Sequence, residues 1–501
     1  MILKIDGELK AYYAQTLCMM FFPGVKFPEG EQSAPDVPEA HFVLRDYEEK
    51  TEAQVRLLLN GKTEETIGVC VLEPNVDRSK ARQLAAGTAF YQAASRLTGV
   101  CPPWGILTGV RPAKIASELM RSGMDLPEAA DWIREHYRTT PAKARLAAEV
   151  SAAESRLITP DMVRKCSVYV AIPFCPSRCA YCSFVSYTSP KLLSLIPEYL
   201  TALKANIHTV FEVIRSLHIP VSSVYIGGGT PTVLNEQQLT FLLETIASET
   251  DVSSLEEFTL EAGRPDTITE GKLRSAREHG VSRISVNTQT LNNEILSAIG
   301  RSHDAEQFFR AYDIARNSGI RHINVDLIAG LPGESAESFS RTVDQVAALH
   351  PDNVTVHTFC VKKAAEIRQE NSSVYDREGQ EASASVDYSQ KVLMRDGYIP
   401  YYMYRQKNTV GNLENVGYAL PGTEGLYNIY MMEEVHSIFA AGASAVTKLV
   451  SPADEAGGVR IDRIFESKYP YEYLKDYSGD SGQERSRSYS ETAREFYKTY
   501  F

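Results

Sequence analysis

Three cysteines that lie close together in the sequence are the residues best suited to carry chemistry. Cys175, Cys179 and Cys182 have the spacing C-x3-C-x2-C and directly follow a predicted strand. A short loop of this kind can place three thiolates on three corners of a [4Fe–4S] cluster. The fourth iron then lacks a protein ligand and can bind a small molecule. Zinc is the alternative, but zinc usually takes four Cys or His ligands, and no fourth ligand is close in the sequence.

A glycine-rich loop and several polar residues follow the next predicted strands. Gly227-Gly228-Gly229-Thr230 comes directly after the second strand, where glycines let the backbone approach a ligand closely; a tight turn would use the same residues. Polar residues stand at or near the ends of the later strands, namely Glu261, Asn287, Gln289, Arg301 and Asp326. Each alone could be a capping or surface residue. Together, at successive strand ends, they predict one ligand site.

These motifs belong to a regular alternation of strands and helices. Short β-branched or aromatic runs predict six strands, at residues 167–172, 223–226, 258–261, 283–287, 322–328 and 353–358. Amphipathic stretches between them predict helices at 192–215, 236–248, 270–279, 305–317 and 335–349. This alternation indicates βαβ units and a parallel sheet. Six units are too few for a closed eight-stranded barrel, so the sequence predicts an α/β fold with a partial (β/α)6 TIM-like barrel over residues 166–395.

The flanks of this barrel are less regular. Residues 1–165 are predicted as a separate α/β domain, with strands at 41–47 and 53–59 and helices at 79–96, 112–121 and 126–138. Ser79 is the predicted N-cap of the first of these helices. Residues 396–501 are predicted as an α+β extension that covers the substrate site. In it, the tyrosine-rich segment 398–404 favours a strand, and the polar residues 478–490 are expected to be exposed.

Length and composition set outer limits on the function. The 501 residues suffice for roughly two to four domains, and 43% hydrophobic with 23% charged residues is typical of a globular protein. The net charge of −12 argues against non-specific binding to nucleic acid. No apolar run reaches the ~18–20 residues of a membrane span and no signal peptide is evident, so we expect a cytoplasmic protein. The five other cysteines are expected to be small buried residues rather than disulfide partners.

The cysteine segment, with Tyr181 before the third cysteine, resembles the signature C-x3-C-x-aromatic-C of the radical SAM superfamily. This resemblance implies that Cys175, Cys179 and Cys182 hold a [4Fe–4S] cluster. It further implies that the open iron binds the amino and carboxylate groups of S-adenosyl-L-methionine (SAM). The reduced cluster would cleave SAM to methionine and a 5′-deoxyadenosyl radical. Tyr181 would shield the cluster and pack on the adenine side.

Longer segments are similar to the oxygen-independent coproporphyrinogen III oxidase family. They are residues 169–175, 225–232, 283–289 and 326–332, while residues 103–112, 402–408 and 411–417 resemble its HemZ-type branch. The resemblance implies a set of SAM contacts, namely Tyr169, Tyr181, Gly228, Gly229, Thr230, Glu261, Gln289, Arg301 and Asp326. It implies oxidative decarboxylation of two propionates of coproporphyrinogen III to vinyl groups, giving protoporphyrinogen IX for heme biosynthesis. The electron would come from a donor such as flavodoxin or ferredoxin.

The identity of the tetrapyrrole substrate stays open at this stage. A tetracarboxylate needs cationic anchors, and the candidates, each of which could also be a solvated charge, are Arg111, Arg178, Lys362, Lys363 and Arg405. The best-known coproporphyrinogen dehydrogenases carry a further cysteine two residues after the third, where this chain has Phe184. A heme-chaperone branch also has phenylalanine there, and anaerobic heme-opening enzymes share much of the barrel. The hypotheses are therefore a coproporphyrinogen dehydrogenase, a heme chaperone, and a heme-degrading or tetrapyrrole-modifying enzyme.

Overall fold

The computed structural model describes residues 1–22, 24–28, 37–109, 111–182, 184, 186–360, 377–406, 409–454 and 458–501. Its strands are β1 Ile2–Asp6, β2 Glu39–Asp46, β3 Lys50–Leu59, β4 Lys62–Val71, β5 Cys166–Ile172, β6 Val221–Gly228, β7 Glu257–Leu260, β8 Arg283–Ser285, β9 His322–Ala329, β10 Asn353–Thr358, β11 Ile399–Arg405, β12 Glu414–Ala419, β13 Ser437–Ala441, β14 Val446–Val450 and β15 Ile461–Phe465. Its helices are α1 Ala11–Phe21, α2 Arg78–Thr98, α3 Pro112–Arg121, α4 Leu126–Tyr137, α5 Pro141–Leu157, α6 Pro190–Leu193, α7 Ile196–Ser216, α8 Glu236–Glu249, α9 Glu270–Glu278, α10 Asn293–Ala298, α11 Ala305–Asn317, α12 Ala336–Ala348, α13 Arg377–Arg395, α14 Leu426–Glu433, α15 Pro470–Asp476 and α16 Gly479–Tyr500.

The centre of the molecule is a run of six parallel strands. The strands β5 to β10 pair in chain order, and the helices α7, α8, α9, α11 and α12 lie between successive strands along the chain. The strands are almost fully buried because both faces are covered, as expected for a parallel sheet. This confirms the predicted α/β class and the partial (β/α)6 barrel. The predicted helix at 192–215 is divided into α6 and α7.

The C-terminal strands extend both edges of this central run. Beyond β10 lie β12 and β11 in antiparallel pairing. On the other side β13 runs parallel to β5, with Ile438 opposite Ser167, and β14 and β15 follow as antiparallel neighbours. The predicted strand at 398–404 is present as β11. The boundaries predicted at residues 165 and 395 remain predictions, although strands on both sides of residue 395 share one sheet.

The expectation that residues 478–490 are exposed is wrong in part, because Tyr489, which lies in the helix α16, is buried. This helix buries one face against α7 and α15, and its buried residues are Tyr489, Ala493, Phe496 and Tyr497. Their spacing is the i, i+4, i+7, i+8 pattern of an amphipathic helix. Its exposed face supplies the polar residues that made this segment resemble a loop.

The N-terminal residues form a four-stranded sheet in the order β1-β2-β3-β4, against which α2 packs. Contact is closest at Gly68 of β4, where an added Cβ would lie 2.1 Å from the carbonyl oxygen of Ala85. The helix α2 begins one residue earlier than predicted, and its N-cap is Asp77 rather than Ser79. The Asp77 carboxylate accepts a 2.7 Å hydrogen bond from the backbone N–H of Lys80.

A buried charged network joins the helices before residue 165 to the edge of the central sheet. The ammonium group of Lys143, on α5, donates to Glu414 of β12 at 2.7 Å and to Asp387 of α13 at 2.9 Å. The indole N–H of Trp104 donates to the other oxygen of Glu414 at 2.6 Å. The guanidinium of Arg405 lies over the Trp104 ring at 5.3 Å. Each buried charge therefore has a partner, as burial requires.

Candidate functional site

The cysteine loop begins immediately after β5 and is held on two sides. The backbone N–H of Cys175 donates to the carbonyl of Tyr187 at 3.1 Å, and that of Tyr187 donates to Pro173 at 2.8 Å, so the loop returns to its starting strand. On the far side the N–H of Ala180 donates to Ile299 at 3.0 Å. These bonds anchor both halves of the loop at the C-terminal end of the parallel strands.

The three thiols of this loop are partly buried and lie near one another. Burial raises the pKa of Cys175 to about 11, and the neighbouring Cys182 and Cys179 contribute to the rise. Burial also raises the pKa of Cys182, again with a contribution from Cys179. Each thiol accepts a hydrogen bond: Thr230 Oγ1 donates to Cys175 Sγ at 3.3 Å, Arg264 Nη1 donates to Cys179 Sγ at 3.5 Å, and the backbone N–H of Phe184 donates to Cys182. Binding of a metal group would deprotonate all three thiols.

The thiols do not converge on a single point. Within the described ranges, no three His, Cys, Asp or Glu side chains are placed to hold one metal ion. In a [4Fe–4S] cluster each thiolate binds a different iron, so its ligands surround a larger group instead of meeting at one ion.

The glycine loop after β6 is laid directly onto the cysteine loop. The N–H of Gly229 donates to the carbonyl of Ile172 at 2.8 Å, and that of Thr230 donates to Phe174 at 2.7 Å. A Cβ on Gly229 would lie 2.5 Å from the Phe174 oxygen and 3.0 Å from Cys175 Sγ. Gly228 has a φ of +109°, which side-chain-bearing residues rarely adopt. The glycines are therefore required by the close approach of these two loops, whatever ligand they also face.

Two carboxylates stand at the same end of the sheet, Glu261 after β7 and Asp326 in β9. Burial raises the pKa of Glu261 to about 8, and the charge of Asp326 adds to this rise, while a backbone hydrogen bond from Gly228 opposes it. Burial alone would also raise the pKa of Asp326, but the nearby imidazole of His357 and hydrogen bonds from neighbours such as Asn324 hold it below the usual value. The Asn287 amide, which donates to Asp326 at 2.7 Å, contributes a further hydrogen bond to this group.

Arg301 connects the cysteine loop to the ends of β7 and β8. Its Nη2 and Nε donate to the hydroxyl oxygen of Tyr181 at 2.7 and 3.2 Å. Its Nη1 donates to the carbonyls of Gly263 and Asn287 at 3.0 and 3.3 Å. Gln289 completes this side with a left-handed backbone, φ +73°, and its N–H donates to the Asp326 carbonyl at 3.0 Å.

Beneath these groups lies a stack of three tyrosines. Tyr169 of β5 and Tyr225 of β6 have near-parallel rings 6.0 Å apart. The ring of Tyr427, on α14, lies 4.6 Å from that of Tyr225 and 6.2 Å from that of Tyr169. Burial raises the pKa of all three hydroxyls. The sequence predicted Tyr169 as a site residue and placed Tyr225 at the start of the family-like segment 225–232 without a role, whereas Tyr427 carried no signal beyond being aromatic.

Two further residues at this site were missed by the sequence analysis. Arg264, which follows β7, is buried and reaches the cysteine loop. His357 of β10 lies with Nε2 3.9 Å from Asp326 Oδ2 and Nδ1 3.5 Å from the hydroxyl of Tyr404. Its position at the C-terminal end of a predicted strand was the available signal.

The comparisons with known proteins agree with this geometry. The model of the radical SAM superfamily matches residues 169–346. The oxygen-independent coproporphyrinogen-III oxidase-like protein HemZ of Bacillus subtilis is 38% identical over 75% of this chain and 76% of its own length. The chain belongs to this family of radical SAM proteins. The heme chaperone HemW of Lactococcus lactis is 31% identical over 56% of this chain and 69% of its own length.

A solved structure supports the same fold. The coproporphyrinogen III oxidase HemN from Escherichia coli, described as a radical SAM enzyme, matches with a TM-score of 0.50 at 23% identity, over 67% of this chain and 73% of that chain. Radical SAM proteins use a [4Fe–4S] cluster and SAM, and these are the cofactors of this family member. Among the described residues, no helix combines the length and apolar character needed to cross a bilayer.

For this radical SAM protein the candidate anchors for substrate carboxylates fall into three groups. Arg111 donates to the carbonyl of Met432 at 2.6 Å and to Glu434 at 3.0 Å, and Arg405 donates to the carbonyl of Leu107 at 2.6 Å. Both arginines have partners within the protein, and their candidacy as substrate anchors stays a prediction. Burial raises the pKa of the Cys182 thiol, and Arg178 lies close enough to offset part of this rise. Lys362 and Lys363 lie outside the described residues.

Proposed function

We propose that this protein is an oxygen-independent coproporphyrinogen III dehydrogenase. One observation carries the proposal: the cysteine loop, the glycine loop and the polar strand ends face one end of a barrel in a chain 38% identical to a coproporphyrinogen-III oxidase-like protein. In the reaction each of two propionates loses a hydrogen atom from its β carbon and then CO2 and one electron, becoming a vinyl group. A one-electron acceptor takes the released electron.

Cys175, Cys179 and Cys182 are the proposed cluster ligands. The donor set fits a [4Fe–4S] cluster because it has three partly buried thiols, each of which accepts a hydrogen bond, and no fourth cysteine nearby in sequence. Cys175, Cys179 and Cys182 would hold the cluster, which would supply the electron for cleavage of SAM after reduction by a donor such as flavodoxin or ferredoxin. Tyr181, held by Arg301, covers the loop from the side of β7 and β8.

The polar strand ends are the proposed SAM contacts. The Gly228-Gly229-Thr230 backbone lies against the cysteine loop, and Glu261 and Asp326 offer carboxylate oxygens that suit ribose hydroxyls and a sulfonium charge. Tyr169, Gln289 and Arg301 complete the set. These residues contribute binding, orientation and exclusion of water, while the cofactors supply the radical chemistry.

An anaerobic assay tests the proposal. Reconstituted protein is incubated with coproporphyrinogen III, SAM and a reductant, and the tetrapyrroles are separated by chromatography. We expect protoporphyrinogen IX and 5′-deoxyadenosine, with Cys179→Ala inactive and Cys360→Ala active. Cleavage of SAM without formation of vinyl product contradicts the proposed substrate.

A heme chaperone is the second candidate, and Phe184 favours it. This side chain is 63% exposed beside the cysteine loop, at the position where the dehydrogenases described above have a further cysteine. The relative from Lactococcus lactis is named a heme chaperone. Stoichiometric binding of heme without turnover would support this function, and failure to bind heme would exclude it. Conversion of heme to a linear tetrapyrrole would instead identify a heme-degrading enzyme.

The proposed location is the cytoplasm. A cluster that must be reduced by small electron carriers requires a compartment that contains them and keeps thiols reduced. Cell fractionation with detection of the native protein tests this, and recovery outside the cytoplasmic fraction contradicts it.

A further inference from the structure

Arg264 is a buried cation aimed at the cysteine loop. It follows Glu261 by three residues, and only 3% of its surface is exposed. Its Nη1 donates to the carbonyl of Ser177 at 3.4 Å and to Cys179 Sγ at 3.5 Å. Its Nη2 donates to the hydroxyls of Ser177 and Ser302 at 3.0 and 3.2 Å. The guanidinium thus contacts the loop through its backbone, a side-chain hydroxyl and a thiol.

Asp266 fixes the direction of this side chain. Arg264 Nε donates to Asp266 Oδ1 at 3.0 Å, and Nη2 donates to Oδ2 at 3.3 Å, which is a bidentate pair. With this edge of the planar group occupied, Nη1 is turned toward Cys179. The ammonium group of a lysine is not planar and cannot make the bidentate pair with Asp266 and the hydrogen bond to Cys179 at the same time.

The position of this cation has an electrostatic consequence for a cluster on Cys179. Reduction adds one negative charge to the cluster and its thiolates. Hydrogen bonds to the sulfurs and nearby positive charge favour the form with more negative charge and so raise the reduction potential. Asp266 offsets part of the charge of Arg264, but the N–H directed at the sulfur remains.

We propose that Arg264 is a positioning residue that tunes the cluster, raising its reduction potential through the hydrogen bond to Cys179. This inference rests on the proposed assignment of Cys179 as a cluster ligand. Arg264 is neither a proposed cluster ligand nor a proposed SAM contact. The inference extends the assignment because it gives this residue a measurable effect on reduction of the cluster. If Arg264 only stabilised the conformation of the cysteine loop, its substitution would change how much iron the protein retains but not the reduction potential of the cluster.

The test is a redox titration of the full-length, reconstituted protein, followed by electron paramagnetic resonance of the reduced cluster. Three variants are compared with the wild type: Arg264→Met, Arg264→Lys and Arg310→Met. Arg310 is a matched control because it is an exposed arginine of α11 whose guanidinium pairs with Glu306. Iron content per chain is measured for each protein, so the readout does not depend on turnover.

We expect Arg264→Met to lower the equilibrium constant for one-electron reduction about tenfold, which is about 59 mV in midpoint potential. Arg264→Lys should recover part of this loss because it keeps the charge, and Arg310→Met should leave the potential unchanged. An unchanged potential in an Arg264→Met protein that holds its iron overturns the proposal.

The lysine variant decides the matter if Arg264→Met fails to hold iron. Lysine loses the fork that reaches Cys179, so a midpoint potential below that of the wild type supports the proposal, and a potential equal to it overturns the proposal. The wild-type protein separates this inference from the assignment of the cysteines. If it takes up no cluster on reconstitution, the proposed function fails, whereas a normal cluster with an Arg264-independent potential contradicts only the role of Arg264.

Discussion

Glu261, directly after β7, and Asp326, within β9, lie on either side of β8, and the charge of Asp326 helps to keep a proton on Glu261. Burial is the larger cause, and together they raise the pKa of Glu261 to about 8. The pKa of Asp326 is lowered instead, because His357 lies close to its carboxylate and its oxygens accept hydrogen bonds from Asn324 and Asn287. At neutral pH the pair therefore carries mainly one negative charge, and a cationic ligand favours the second ionisation.

The affinity for SAM should increase with pH as Glu261 ionises. Below pH 8 the carboxyl is mostly protonated, and binding that prefers the carboxylate must release this proton. We expect the dissociation constant to fall by up to about tenfold per pH unit and to level off above pH 8. Calorimetry on the anaerobic, reconstituted protein between pH 6 and 9 measures this dependence.

Two variants isolate the contribution of Glu261. The amino group of SAM titrates equally with every variant, so only the difference between wild type and Glu261→Gln reports on this carboxyl. Glu261→Gln should flatten the dependence, and Asp326→Asn should move the rise to lower pH by removing a neighbouring charge. Identical pH profiles for wild type and Glu261→Gln would show that Glu261 does not contact the ligand.

Removing the hydroxyl of Tyr181 should weaken SAM binding without loss of the cluster. Tyr181→Phe deprives Arg301 of an acceptor at 2.7 Å, and a hydrogen bond to a charged group contributes about 1.5–3 kcal/mol. We expect the dissociation constant of SAM to rise about tenfold or more, with unchanged iron content. Tyr312→Phe is the matched control, because Tyr312 accepts from Arg316 at 3.0 Å on α11. An equal effect of both variants would argue against a role for Tyr181 in the site.

Cys179→Ala should abolish the cluster. The variant leaves two thiols, which are too few to hold a cubane with one open iron. Its absorbance near roughly 400 nm, typical of thiolate-bound iron, should be lost along with the bound iron. Cys101→Ala and Cys360→Ala remove cysteines outside the C-x3-C-x2-C spacing and should keep both signals. Normal colour in the Cys179 variant would refute the ligand assignment.

Glu154 should make the protein less stable as the pH rises. Burial raises its pKa to about 9, with Glu433 adding to the rise, and Oε1 makes no hydrogen bond with the described residues. The unfolded chain releases this proton near the ordinary pKa of 4.5, so the folded state binds more protons between about pH 5 and 9 and loses stability over that window.

Glu154→Gln should remove this penalty. We expect the variant to exceed the wild type in unfolding free energy at pH 8 by on the order of 1–3 kcal/mol, and to match it at pH 5. Thermal unfolding at the two pH values measures the difference. Glu135→Gln, on the exposed side of α4, serves as the control. A variant that is less stable than the wild type at pH 8 would contradict the assignment of a protonated Glu154.

The central strands could be predicted from the sequence because each is a short apolar run followed by a helix of clear period. That pattern also placed Glu261 and Asp326 at strand ends, where parallel strands bring side chains together. The role of Arg264 could not be predicted, since its contact with Cys179 joins positions 85 residues apart. One arginine before a proline is typical of a surface turn, and only the fold shows that it is buried.

The flanks were harder to predict because they lack the strand–helix alternation. Asp77 and Ser79 are both good N-cap residues two positions apart, and only the backbone of the helix decides between them. The pairing of β13 with β5 is a contact between distant segments that no local pattern records. In α16 the spacing of Tyr489, Ala493 and Tyr497 could have indicated a helix with one buried face. The many polar residues around them made the segment resemble an exposed loop instead.

Because β5 lies between β6 and β13 in the sheet, its two edges become paired at different times during translation. The strand that leads into the cysteine loop is made early, and its neighbour β6 follows soon after. Its other neighbour is translated only when the nascent chain nears residue 441, so one edge of β5 waits unpaired during the synthesis of the intervening chain. An unpaired edge beside three reactive thiols is prone to aggregation and oxidation. The cysteine loop can therefore take up its cluster on a fully paired β5 only after translation has passed residue 441.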